Sequence, residues 1–294
     1  MSRTTTDSVL RVRHQLTDRD WRLLGWLHDH RVLTSFQIAK ALFPSLNFAQ
    51  RRLGILTDLG VLARFRPLRM AGGTYPYHYV LAHTGTLLVA GTRGERPPRP
   101  SETTVRLQRI AASRNLDHRL GINDFFVDLA AHERTHPGSV LHAWWPDTRL
   151  VAFSPPGSTA YATVRADALG LWTEHGRTVA FYLEHDTGTE NLTVLTDKLA
   201  GYRDLVRRGG PVWPVLFWLH SATREVHLHE RLTDTAEASW VPIATAARDR
   251  LHNHGPAEAV WQLHGHGPPR RLAELPMRDP VDPGVFNESY ETGV

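Results

Sequence analysis

The 294-residue chain contains no cysteine. Disulfides are excluded, and so is a zinc site built on thiolates. Long apolar runs are missing as well. Crossing a bilayer as a helix takes about 18 or more apolar residues in a row, and the best candidate, residues 211–219, is too short and carries two prolines. Residues 1–8 lack the apolar core of a secretory signal, so a cytoplasmic protein is expected. Lysine is nearly absent: Lys40 and Lys198 are the only ones, and arginine supplies the rest of the 34 Lys+Arg. No Gly-x-x-x-x-Gly-Lys phosphate loop occurs, which argues against nucleotide-driven work.

The charge that is present is unevenly placed. Residues 1–100 hold 15 Lys+Arg and 6 Asp+Glu, a net of +9; the whole chain is +4, leaving −5 for residues 101–294. A basic front and an acidic back fit a protein that holds a polyanion at one end. The length allows two domains, each with its own core.

Residues 15–91 are expected to form a winged helix-turn-helix domain. Thr17 and Asp20 give a helix-start signal before Trp21, Leu24 and Leu27 at helical spacing. Thr34 or Ser35 starts a second helix with Ile38, Ala39 and Leu42 inward. A third helix runs from about Asn47 to Leu59, with Phe48, Leu53, Leu56 and Leu59 as its apolar set and Gly60 as its stop. Its polar residues, Asn47, Gln50, Arg51 and Arg52, are the candidates for a DNA major groove. Residues 61–66 and 75–81 alternate as a hairpin, the wing, and Arg64, Arg66 and Arg69 are candidates for the DNA backbone beside it.

Residues 92–103, rich in Pro, Gly and Arg, read as a linker. Residues 104–274 read as helix, three strands, helix, strand: an α/β domain on a mixed sheet. The first helix, from Thr104 to about Thr135, has a break near Ser113-Arg-Asn115. Residues 230–237 and 243–253 look helical, 260–263 looks like a further strand, and 275–294 look like a flexible tail.

The chemistry concentrates in two adjacent strands, Arg165-Ala-Asp-Ala-Leu-Gly-Leu-Trp172 and Thr178-Val-Ala-Phe-Tyr-Leu-Glu-His-Asp186. Side chains alternate along a strand, so Tyr182, Glu184 and Asp186 are expected on one face, near Asp167. Clustered carboxylates repel unless a cation sits between them. Mg²⁺ or Mn²⁺ bound by Asp167 and Glu184 would serve, as would the amine of Lys198 on the following helix. The candidate catalytic set is Asp167, Glu184, Asp186 and Lys198. Tyr202, one turn after Lys198, is a candidate nucleophile or a core residue. The histidine pairs 227/229, 252/254 and 264/266 are weak metal signals and read as structural. His118, on a packed helix, is read the same way.

These residues carry a resemblance. Thr17 to Leu81, His118-Arg-Leu-Gly-Ile-Asn-Asp-Phe-Phe126, Arg165-Ala-Asp-Ala168, Phe181-Tyr-Leu-Glu-His-Asp-Thr-Gly-Thr-Glu190 and Lys198-Leu-Ala-Gly-Tyr202 resemble the replication-relaxation family of Gram-positive plasmids and integrative elements. The resemblance implies a role in plasmid replication and DNA relaxation, with double-stranded origin DNA as partner. It also implies a C-terminal domain similar to the PD-(D/E)xK, restriction-endonuclease-like fold. Asp167 matches that fold's first acidic position and Glu184 its second. Asp186 departs from the pattern, standing where a lysine belongs. A metal-dependent nicking enzyme is one expectation. The other is a non-catalytic initiator or regulator whose α/β domain is a scaffold for a homodimer.

Overall fold

The structure is a computed structural model and describes residues 9–67, 75–152, 164–265 and 267–286. The described chain falls into two compact units, one up to Val127 and one from Asp128 to Phe286.

The first unit opens with helix α1, Asp18–His30. Thr17 caps it as expected: its hydroxyl accepts from the Asp20 amide, and the Asp20 carboxylate accepts from the Thr17 amide at 2.7 Å. A two-residue strand β1, Leu33–Thr34, leads into α2, Ser35–Leu42, which starts on a second capping box between Thr34 and Gln37. Helix α3, Leu46–Asp58, starts on the Ser45 hydroxyl. Strands β2, Leu62–Phe65, and β3, His78–Leu81, pair antiparallel. β1 joins them, giving a three-stranded sheet in the order β1-β3-β2. The helices bury Leu23, Leu24, Trp26, Ile38, Leu53 and Leu56. Residues 68–74, including Arg69, lie outside the described residues.

Helix α4, His83–Thr92, follows β3. Helix α5 starts at Pro100, inside the stretch read as linker, and ends at Ala111. Its start was hidden by the Pro-rich composition, yet proline suits a first helical turn, and Glu102 accepts from the Arg99 amide. The break expected near Ser113 separates α5 from α6, Leu116–Thr135. Asn123, buried in α6, donates to the Val32 carbonyl at 2.8 Å, which ties α6 to the end of α1.

The second unit is built on a six-stranded sheet in the order β4-β5-β6-β7-β8-β9. β4, Val140–Pro146, is followed by a short helix α7, Asp147–Ala152. β5, Ala168–Glu174, and β6, Arg177–His185, form a hairpin. Its two turn residues, His175 and Gly176, have φ of 51° and 73°, the left-handed pair that matches the twist of the flanking strands. Helix α8, Leu192–Arg207, crosses to β7, Val215–Leu219, which runs parallel to β6. Helix α9, Ala222–Thr233, crosses to β8, Ile243–Ala247, parallel to β7. β9, Gln262–Leu263, closes the edge.

Three expectations are corrected. Residues 243–247 are a buried strand rather than a helix: their alanines favour helix locally, but pairing with β7 overrides that weak preference. The helix expected at 230–237 is α9, already under way at Ala222 and started by Ser221. Residues 275–286 are packed rather than loose. Phe286 is buried against Trp145, and Asp279 accepts from the Val212 amide at 2.6 Å. Apolar side chains set without period among prolines and acids gave no pattern to read.

Candidate functional site

In the first unit the candidate DNA-binding residues lie on α3 and on the β2–β3 hairpin. Burial of Ala49, Leu53 and Leu56 fixes which side of α3 faces inward. Asn47, Gln50 and Arg51 are exposed. Phe48, expected in the core, is 59% exposed instead, and Ile55 is 47% exposed. Arg52 is turned inward. Its guanidinium donates to both carboxylate oxygens of buried Asp20, at 3.0 and 2.6 Å, and to the Gln15 carbonyl. It holds α3 to the start of α1, a structural role that the sequence did not show. Arg64 and Arg66 are exposed on and just beyond β2, with their guanidinium carbons 4.2 and 3.7 Å from the Tyr77 ring centre. That stacking holds two cations together on the hairpin.

In the second unit the acidic cluster gathers at the end of the β5–β6 hairpin. Asp167 sits at the entry to β5, where its amide donates to the Leu183 carbonyl at 3.0 Å. Its carboxylate accepts from the His185 amide at 2.8 Å. Glu184, near the end of β6, is wholly buried. The ammonium of Lys198, from α8, donates to Glu184 Oε2 and lies 3.7 Å from Asp167 Oδ1. The Tyr202 hydroxyl, one helical turn on, donates to Glu184 Oε1 at 2.6 Å. Leu195 and Leu199 anchor this face of α8 against the sheet, so both polar groups are delivered inward.

Asp186 does not join them. Both its oxygens are taken by Arg224, from the first turn of α9, and its carbonyl accepts from Arg248 at 2.6 Å. β6 ends at His185, so the alternation that would have put Asp186 beside Glu184 stops one residue short. Arg224 and Arg248 were not anticipated. The one available signal was Ser221 as a helix start, three residues before Arg224.

The electrostatics follow from burial. Loss of water pushes the Glu184 carboxyl up to about 7, and the charge of Asp167 adds to the push; Lys198 and Tyr202 pull the other way. Burial works against the Lys198 ammonium, but the two carboxylates hold its pKa above the ordinary lysine value. Burial and then Glu184 raise the Tyr202 phenol well above its ordinary range, so it stays protonated and donates.

The cation between the carboxylates is thus the lysine. A divalent metal at Asp167 and Glu184 would have to take oxygens already held by an ammonium and a phenol. Among the described residues no three His, Asp or Glu side chains converge as a metal cage. The side chains as placed do not fit Mg²⁺ or Mn²⁺. What they can do is hold a proton on Glu184 near neutral pH. They also present a partly exposed ammonium, with Asp167 beside it, to an approaching anion.

Among the described residues no helix is long and apolar enough to cross a membrane. No curated protein and no solved structure matches the chain. Residues 24–217, well over half of the chain, match the family model described as Replication-relaxation. That span takes in α3, the hairpin and the whole 167–202 cluster, and the chain belongs to the replication-relaxation family.

Proposed function

We propose that this chain is a double-stranded DNA-binding protein acting in plasmid replication or relaxation, and that it docks through a winged-helix first unit. The observation that carries this is the exposed polar side of α3, with Asn47, Gln50 and Arg51, beside the paired guanidiniums of Arg64 and Arg66. The order of three helices and a hairpin, with β1 completing the sheet, supports the winged-helix assignment. The net charge of +9 over residues 1–100 supports a polyanionic partner. Fluorescence anisotropy with labelled plasmid-origin duplexes tests it. Salt-sensitive binding that weakens in Arg51→Ala is expected; no binding at low salt would reject it.

A PD-(D/E)xK-like reading of the second unit is supported by its order of strand, short helix, two strands, helix and strand, and by Asp167 at the entry to β5 beside Glu184 on β6. Lys198 reaches the cluster from α8, in place of the strand position filled by Asp186. In this proposal the unit is a lysine-neutralised scaffold. Asp167 orients through the His185 amide, Tyr202 and Lys198 satisfy Glu184, and Arg224 locks Asp186. A second possibility is favoured by one observation, the partial exposure of Lys198 and Asp167: strand scission with Lys198 steadying the phosphate. Supercoiled plasmid incubated with the chain, with and without Mg²⁺ or Mn²⁺, separates the two. Nicking lost in Asp167→Asn and Lys198→Met establishes scission; intact plasmid under every condition supports the scaffold.

A further inference from the structure

Three features of α3 serve no packing among the described residues. Gly54 stands in the middle of the helix, where glycine weakens helical structure. A Cβ built there would meet nothing within 4 Å, so internal packing does not demand its absence. Phe48 and Ile55, seven residues apart on one flank of the helix, are large apolar side chains left 59% and 47% exposed. Between them lies exposed Arg51, and Asn47, Arg51 and Gly54 follow one another along the stripe opposite buried Leu53 and Leu56. A face that only met water would do better with alanine and polar groups at these places. A bare backbone beside an apolar flank fits close approach to a surface that has both charge and apolar spots. The +9 charge of residues 1–100 favours a polyanion as that surface.

In the DNA major groove the apolar group on a base edge is the thymine methyl. We propose that α3 selects thymine-containing sites by packing Phe48 and Ile55 on thymine methyls, and that Gly54 lets the helix backbone sink close enough for them to reach. Arg51 then faces a guanine edge or a phosphate from the same stripe. This rests on the DNA docking proposed above and adds which base chemistry is read, and by which residues.

The test uses the full chain. Duplexes are selected from a random pool by repeated binding, and the selected site is made twice, with thymidine and with deoxyuridine, which lacks only the methyl. Binding is expected to weaken roughly fourfold for each contacted methyl removed, the effect of burying one such group. Phe48→Ala and Ile55→Ala are expected to narrow the difference between the two duplexes. Gly54→Ala gives readouts of opposite sign: a higher melting temperature, because alanine favours helix, and binding weakened tenfold or more, because the added methyl holds the helix off. Equal affinity for the two duplexes, or Gly54→Ala binding as tightly as the parent, overturns the proposal while DNA docking stands. Salt-sensitive binding to no duplex overturns both. A Phe48→Ala change in oligomeric state by analytical ultracentrifugation, without any deoxyuridine effect, assigns the face to a second copy of the chain and overturns the thymine contact.

Discussion

Glu184 is a fully buried carboxyl whose pKa rises from 4.5 to about 7. Between those values the folded chain keeps a proton that the unfolded chain has released. Stability therefore falls as pH climbs from about 4.5 through about 7, with the full contribution present below the lower value. Urea titrations across this range should show that fall in the parent and a shallower one in Glu184→Gln, where nothing titrates. Lys198 is coupled to the same proton. Lys198→Met keeps most of the aliphatic stem and removes the charge that sits between Asp167 and Glu184. Stripping one partner from a buried ionic cluster costs about 3 kcal/mol. The loss should be larger at pH 8 than at pH 5, where Glu184 is already neutral and needs less compensation. Equal losses at the two pH values would mean that the ammonium does not serve Glu184.

The elements show where sequence patterns suffice and where they stop. Helices α1 to α3, the hairpin that follows and the strands and long helix from β4 to β7 were legible, because spacing and turn residues are local; the short helix α7 between β4 and β5 was not. The partners of charged groups were not. Arg52 looked like a DNA contact because it follows Arg51, but its partner Asp20 lies 32 residues back. Asp186 looked like part of the acidic pocket, but Arg224 lies 38 residues ahead. Phe48 was placed inside by its side-chain type, although Ala49 one residue later takes the buried position. Arg52→Ala tests the structural role. It leaves buried Asp20 without its cation and should lower stability by roughly 2–3 kcal/mol in denaturant. A pure DNA contact would lose affinity with its stability intact. β5 offers a second test of packing. Gly170 lies opposite Phe181, and a Cβ there would fall 2.1 Å from the ring. Gly170→Ala should destabilise by about 1–3 kcal/mol through overpacking. Adding Phe181→Leu should recover part of that loss, since the two side chains share one space.

For the whole molecule the governing quantity is the separation of charge along the chain, +9 in residues 1–100 and −5 in the rest. An acidic remainder repels DNA, so the affinity of the intact chain is set by the front cations against that background. Each cation that neutralises a phosphate releases counterions and steepens the dependence of log affinity on log salt by about 0.9. Arg51, Arg64 and Arg66 are exposed on α3 and the hairpin, whereas Arg52 is spent on Asp20. Arg64→Ala and Arg66→Ala should therefore each flatten the salt dependence by about one unit and weaken binding to all duplexes alike. Arg51→Ala should do so only if it meets a phosphate; if it meets a guanine edge, the loss is sequence-dependent and the slope stays. Lys198→Met, in the other unit, should leave the slope where it was, because its ammonium is committed to Glu184 and Asp167. Binding isotherms from 50 to 300 mM NaCl, for each variant on a selected and a scrambled duplex, measure all of these at once. A slope that drops in Lys198→Met as much as in Arg64→Ala would put the 167–202 cluster on the DNA and revive scission as its task.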